Sequence, residues 1–160
     1  MTTLERNIVV VCFGTPTISG DSLGPEVGSL LRADASFPAF VYGTLDRPIT
    51  GKNMGEWMNF VREVHSDALL LAVDACLGER QNLGRISVRG DGVCPAAACG
   101  KKKRFGDVGI IGVVGDKTGD PLSELMQADL AAVSALARQI AALIKDALSP
   151  ARSFSAASDF

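Results

Sequence analysis

Two acidic residues, Asp21 in GTPTISGDSLG and Asp74 at the end of ALLLAVD, stand where carboxylates do chemistry. Asp21 lies just ahead of a helix opened by Pro25. Free N–H groups and the positive end of a helix dipole favour the charged form there. Asp74 follows the apolar run Leu69–Val73. Desolvation at that point favours the neutral form. Two acids whose environments push their protonation apart make an acid/base pair, and the same two could hold a divalent metal ion. The plainer reading is that Asp21 caps its loop and Asp74 accepts from backbone amides. The residues alone leave both open.

Other reactive residues offer less. The single histidine, His65, ends a helical stretch and is expected at the amino edge of the sheet as a helix C-terminal cation. One histidine excludes a His-x-x-x-His zinc site. It also leaves Ser22, beside Asp21, without a triad partner. Gly14, Gly20, Gly24 and Gly28 match neither dinucleotide nor P-loop spacing, nor does Thr50-Gly51-Lys52. Cys94 and Cys99 form a C-x4-C pattern, a metal or redox pair or simply two free thiols. Cys12 and Cys76 read as small apolar fillers at strand ends. Lys101–Arg104 is a basic run, a solvated loop or a grip on an acidic partner.

The elements that must position these residues follow from hydrophobic pattern. Strands are expected over Asn7–Phe13, Ala39–Leu45, Ala68–Val73, Gly84–Arg89 and Val108–Val114. The first and third are continuous apolar runs, as in a parallel sheet covered on both faces. Pro25–Arg32 reads as a helix with Val27, Leu30 and Leu31 on one side. Met54–His65 reads as a second, facing inward through Met54, Trp57, Met58, Val61 and Val64, with Asn53 and Glu56 as a capping box. A single long helix is expected from Pro121, capped by Asp120. Its stripe is Leu122, Met126, Leu130, Val133, Ala137, Ile140, Ile144 and Ala147. The alternation predicts an α/β fold, three layers around a mostly parallel or mixed sheet. The fourth run follows the third too closely for a crossover, so one antiparallel pairing is expected. One domain is expected over 1–148, followed by a mobile tail over 149–160.

Ligands of open α/β sheets bind at the carboxyl ends of the strands. The loops that leave there should bring Asp21, Thr44, Asp46, Lys52, Asn53 and Asp74 around one cleft. Gly14 and Gly24 would admit a peptide backbone closely. Lys52 or Asn53 would donate to the oxygen that becomes negative during attack.

Composition narrows the class. The chain has 160 residues, 47% hydrophobic and 21% charged, which excludes a disordered or fibrous protein. A net charge of -2 argues against a nucleic-acid partner. No segment reaches the roughly 18 apolar residues of a membrane span. The apolar run Ile8–Val11 is too short for a signal-peptide core. Four cysteines form no dense framework, so a cytoplasmic protein is expected.

Three stretches in one order, VCFGTPTISGDSLGPEVG, VYGTLDRPITGKN and LAVDACLG, resemble the sporulation proteins of the YyaC type. More weakly, they resemble the germination proteases and the hydrogenase maturation proteases. The resemblance implies a sheet between helices and a protein or peptide substrate, with no cofactor required. The germination proteases' essential aspartate falls on Asp21 of GDSLGP, and their second on Asp74 of AVDACLG. The maturation proteases use the matching acids, with a later histidine, to engage nickel. No histidine follows Asp74, so that third ligand has no counterpart. The germination proteases' G-I-x-P-G-S-G loop here reads Gly92 to Ala98, with Ala96 and Ala98 in place of two glycines. Three functions are therefore carried forward. They are a two-aspartate peptidase, a peptide-binding module that keeps the fold without cutting, and a maturation-type protease whose partner carries a metal, with Cys76 or Cys94 as the further ligand near the two acids.

Overall fold

The computed structural model describes residues 6–97 and 100–149. Ala98, Cys99 and residues 150–160 of the expected tail lie outside the described residues.

Five strands form one sheet in the order β2-β1-β3-β5-β4. They are β1 (Ile8–Cys12), β2 (Phe40–Tyr42), β3 (Leu69–Gly78), β4 (Ile86–Arg89) and β5 (Val108–Asp116). All pairings are parallel except β4 with β5, so the sheet is mixed. The antiparallel partner of β4 is thus β5, the next strand in the chain, and not β3. Helices α1 (Leu23–Ala33), α2 (Met54–Val64), α3 (Pro121–Gln127) and α4 (Leu130–Ala147) complete the fold.

The β-branched run of β1 is buried on both faces, which explains its unbroken apolar pattern. Val10 and Cys12 enter the core shared with α1 and α4. Val9 and Val11 enter the opposite core, shared with α2, Ile49, Val93 and Phe105. Cys12 is a core filler as expected. Helices cover both faces, the expected three-layer arrangement.

Several boundaries differ from the sequence expectation. β3 continues through Asp74 to Gly78 because its ladder with β5 continues, with a register shift between Cys76 and Leu77. Asp74 is therefore inside the strand, not at its exit. α1 starts two residues before Pro25, after a 3-10 turn over Gly20–Ser22. Asn53 does not cap α2 with its side chain. Its Oδ1 accepts from the Thr50 N–H at 2.8 Å, and its Nδ2 donates to the Pro48 carbonyl at 3.2 Å. Asp120 does cap α3, accepting from the Ser123 N–H at 3.0 Å.

The expected long final helix is two helices. Ala128 and Asp129 are extended, and the chain re-enters helix at Leu130. The break rotates the apolar stripe. Leu122, Met126 and Leu130 are exposed, while Leu125 and Leu136 are buried. Val64, assigned to the inner face of α2, is also exposed. Among the described residues no helix is long and apolar enough to cross a membrane.

Candidate active site

A cleft of about 1080 Å3 opens at the carboxyl ends of β1 and β3. Asp21 and Asp74 both line it. Asp74 reaches it because alternate residues of a strand share a face. Ala72, Asp74 and Cys76 point to the α2 side, where Ala72 and Cys76 pack in that core. Asp21 reaches it from the 3-10 turn between β1 and α1.

Two glycines bring that turn to the sheet. Gly14 has φ +140°, and a Cβ there would meet the Asp21 carbonyl oxygen at 2.0 Å. A Cβ on Gly24 would meet the Phe13 carbonyl oxygen at 2.0 Å. Both glycines thus admit the chain's own backbone. The expectation that Gly24 receives a bound peptide is corrected, because its open side is filled by Phe13. Gly14 does line the cleft.

Each carboxylate is tethered by one amide. Asp21 Oδ2 accepts from the Thr15 N–H at 2.8 Å. Asp74 Oδ1 accepts from the Ala75 N–H at 2.9 Å. Burial raises the Asp21 pKa to about 6, against the lowering effect of the Thr15 amide. The expected lowering by the helix terminus is therefore outweighed by desolvation. Asp74 is raised well above the carboxylate range, first by burial and then by the negative charge of Asp21. Asp21 is thus the more readily ionised of the two, and Asp74 is held toward its neutral form.

The remaining expected residues divide. Lys52 lines the cleft from the loop before α2. Asn53 does not line it and spends its side chain on Thr50 and Pro48, so it is not placed as an oxyanion donor. Thr44 is buried in a tight turn with Arg47, its hydroxyl accepting from the Arg47 N–H at 3.2 Å. Asp46 is exposed on the same turn. Neither lines the cleft. That turn belongs to β2, whose three residues end before they reach the cleft. His65 stands apart as well, its Nε2 2.7 Å from the Tyr42 hydroxyl.

The sequence offered Cys76 and Cys94 beside the two acids but missed the cations of the wall other than Lys52. Cys76 packs against the α2-side core and also forms part of the cleft wall, half-buried. Burial raises its thiol pKa, while Arg89 pulls it down. Cys94 lines the cleft and donates to the Lys101 carbonyl at 3.5 Å. The C-x4-C pairing itself involves Cys99, outside the described residues. Arg89, Lys101 and Arg104 also line the cleft, with Leu122 and Leu125 of α3 opposite.

Two carboxylates are two metal ligands. Among the described residues no group of three or more His, Cys, Asp or Glu side chains could hold an ion. This donor set does not amount to a resident metal centre, and no step below is routed through one.

The fold is similar to that of a [NiFe] hydrogenase maturation protease from Thermococcus kodakarensis KOD1. The TM-score is 0.55 at 17% identity, over 90% of this chain and 93% of that one. A hydrogenase 2 maturation peptidase from Thaumarchaeota archaeon SCGC_AB-539-E09 gives 0.54 at 16% identity, over 89% and 98%. In sequence, the chain is 40% identical over 111 residues to the uncharacterized protein YyaC of Bacillus subtilis (strain 168). That match takes in 68% of this chain and 54% of the relative, about half of its length. A family model matches residues 1–143, and on that match the chain belongs to the family described as protein of unknown function (DUF1256).

Proposed function

We propose that the protein is a peptidase in which Asp21 and Asp74 act as an acid/base pair on a peptide or protein substrate. One observation carries the reading. Both carboxyl groups open on one cleft, and the charge of one raises the pKa of the other. Asp21, ionised, takes a proton from an attacking water. Asp74, neutral, donates a hydrogen bond to the scissile carbonyl and then a proton to the leaving amine. Lys52 is the side chain available to the developing oxyanion. The likeness of fold to maturation proteases supports a peptidase-like role. A narrower spore-germination role, within the cytoplasm, rests on the sequence motifs alone.

A second reading has its own observation. Each carboxylate already gives one oxygen to a backbone amide, as a peptide-binding module without catalysis would also have it.

One experiment separates the two. The chain is incubated with a diverse peptide library, and new termini are read by mass spectrometry. The peptidase reading expects cleavage that falls by about 100-fold or more in Asp21→Asn and in Asp74→Asn. Both variants should keep the wild-type circular dichroism spectrum. Wild-type cleavage rates in both variants sink it. Peptide retention with no new termini transfers the function to the binding module.

A further inference from the structure

The cleft has an acidic floor and a basic rim. Lys52 reaches it from the loop before α2, Arg89 from the end of β4, and Lys101 from the basic run. These segments are far apart in sequence, and the fold brings their cations to one opening. Arg89 is placed there by register. It pairs with Gly109, and Gly109 pairs with Ala72, which shares a sheet face with Asp74.

None of the three is neutralised. Among the described residues Lys52, Arg89 and Lys101 make no ion pair, whereas Arg80, Lys117 and Lys145 each hold a carboxylate. A fourth lining cation, Arg104, is partly offset by Asp91 at 3.1 Å. The chain as a whole has net charge -2, so the positive rim runs against its overall charge. A cleft lined by one sign of charge concentrates ligands of the other sign.

We infer that Lys52, Arg89 and Lys101 form a docking rim for an acidic stretch of the peptide substrate, an inference that rests on the cleft being a peptide site. Apolar side chains sit among the charges. Ile18, Val93, Pro95, Leu122 and Leu125 line it and suit side chains of a peptide. Nucleic acid fits less well, since single strands are held by stacking on aromatic rings. Among the described residues the cleft is lined by one aromatic side chain, Phe13, which is buried.

The test reads binding by fluorescence anisotropy. Labelled peptides of one sequence are made with Glu, Gln or Lys at the variable positions. Binding is measured first in the Asp21→Asn, Asp74→Asn chain, so that no turnover is needed, and then in wild type. Three exposed charge contacts should favour the Glu peptide over the Gln peptide by about tenfold at low salt. Added NaCl should erase that preference. Lys52→Gln, Arg89→Gln and Lys101→Gln combined should remove it too. Lys102→Gln with Lys103→Gln, outside the cleft lining, should leave it intact.

Equal affinity for the Glu and Gln peptides overturns the inference. So does a preference that survives loss of the three rim cations. Tighter binding of a labelled single-stranded oligonucleotide than of the Glu peptide also overturns it. The peptidase reading fails separately. Glu-selective binding without cleavage by wild type supports the rim and removes the peptidase. Cleavage of Glu and Gln peptides at equal rates, with no binding preference, removes the rim and leaves the peptidase.

Discussion

A pair of carboxyl groups can work on a peptide bond near neutral pH when one is ionised and the other is not. Here burial does most of that separation, and Asp21 adds its charge to the elevation of Asp74. The pH dependence follows. As pH falls through about 6, Asp21 gains a proton and the base is lost. As pH rises, Asp74 ionises and the acid is lost. A bell-shaped kcat/KM profile with an acid limb near pH 6 is expected, its apparent values belonging to the pair. A profile that is flat across pH 5–7 would count against the pair. Ala96 carries a second residue-scale prediction. It lines the cleft with φ +56°, the left-handed region that side chains avoid. The backbone there takes a glycine-type conformation although the side chain is alanine. Ala96→Gly should relieve the strain and stabilise the fold by about 0.5–1 kcal/mol, readable as a higher urea midpoint. At this scale Asp74 was legible as an acid closing a buried apolar run, and Asp21 through its place in the loop that leaves the end of β1. Arg89 and Lys101 were not, because an exposed cation says nothing of which opening it borders until the strands are in register.

The turn that carries Asp21 is held by close backbone contact between α1 and the end of β1. Gly24→Ala forces a methyl group onto the Phe13 carbonyl, a rigid neighbour. Overpacking of this kind costs about 1–3 kcal/mol and here also shifts the turn. The variant should lose stability and peptide turnover together. Gly55, on α2, is the control, since a Cβ there meets nothing within 4 Å. Gly55→Ala should stabilise by about 0.5–1 kcal/mol through helix propensity alone. Equal midpoints for the two variants would show that α1 does not need Gly24 for contact. The elements themselves were largely legible. The runs of β1 and β3 are apolar because both faces are covered, and that pattern is local. What was not legible depended on partners distant in sequence. β3 extends past Asp74 because β5 pairs with it, a partner that the local sequence does not show. The final helix breaks at Ala128–Asp129, although its periodicity passes through the break unaltered. Asn53 sits at a helix start, yet its side chain is taken by the preceding turn.

The whole molecule bears the energetic consequence of its candidate site. Asp21 and Asp74 have raised folded-state pKa values, so the native state binds more protons than the unfolded chain between the two values. For such groups the cost to stability is absent below the unfolded pKa of about 3.9 and grows as pH rises toward the folded value. For Asp21 that value is about 6. The shift corresponds to a destabilisation on the order of 2–3 kcal/mol once the ionised form must be buried. Asp74 adds to it over a range that extends further upward. Opposite contributions come from Asp34, Asp116 and Asp120, held low by hydrogen bonds from Ser36, Thr118 and Ser123. These depressed groups contribute stability above the ordinary carboxylate range and lose it only below. They therefore stay constant from pH 5 to 7.5, and the raised pair sets the slope. Thermal unfolding should show Tm falling by roughly 5 °C as pH rises through that interval. Asp21→Asn with Asp74→Asn keeps an acceptor for each amide and removes the buried charge. That chain should melt higher than wild type at pH 7.5 and converge with it only below about pH 4, where the unfolded carboxylates are also protonated. Parallel curves for the two chains would mean that the carboxylates are not desolvated in solution, and the acid/base pair would lose its physical basis.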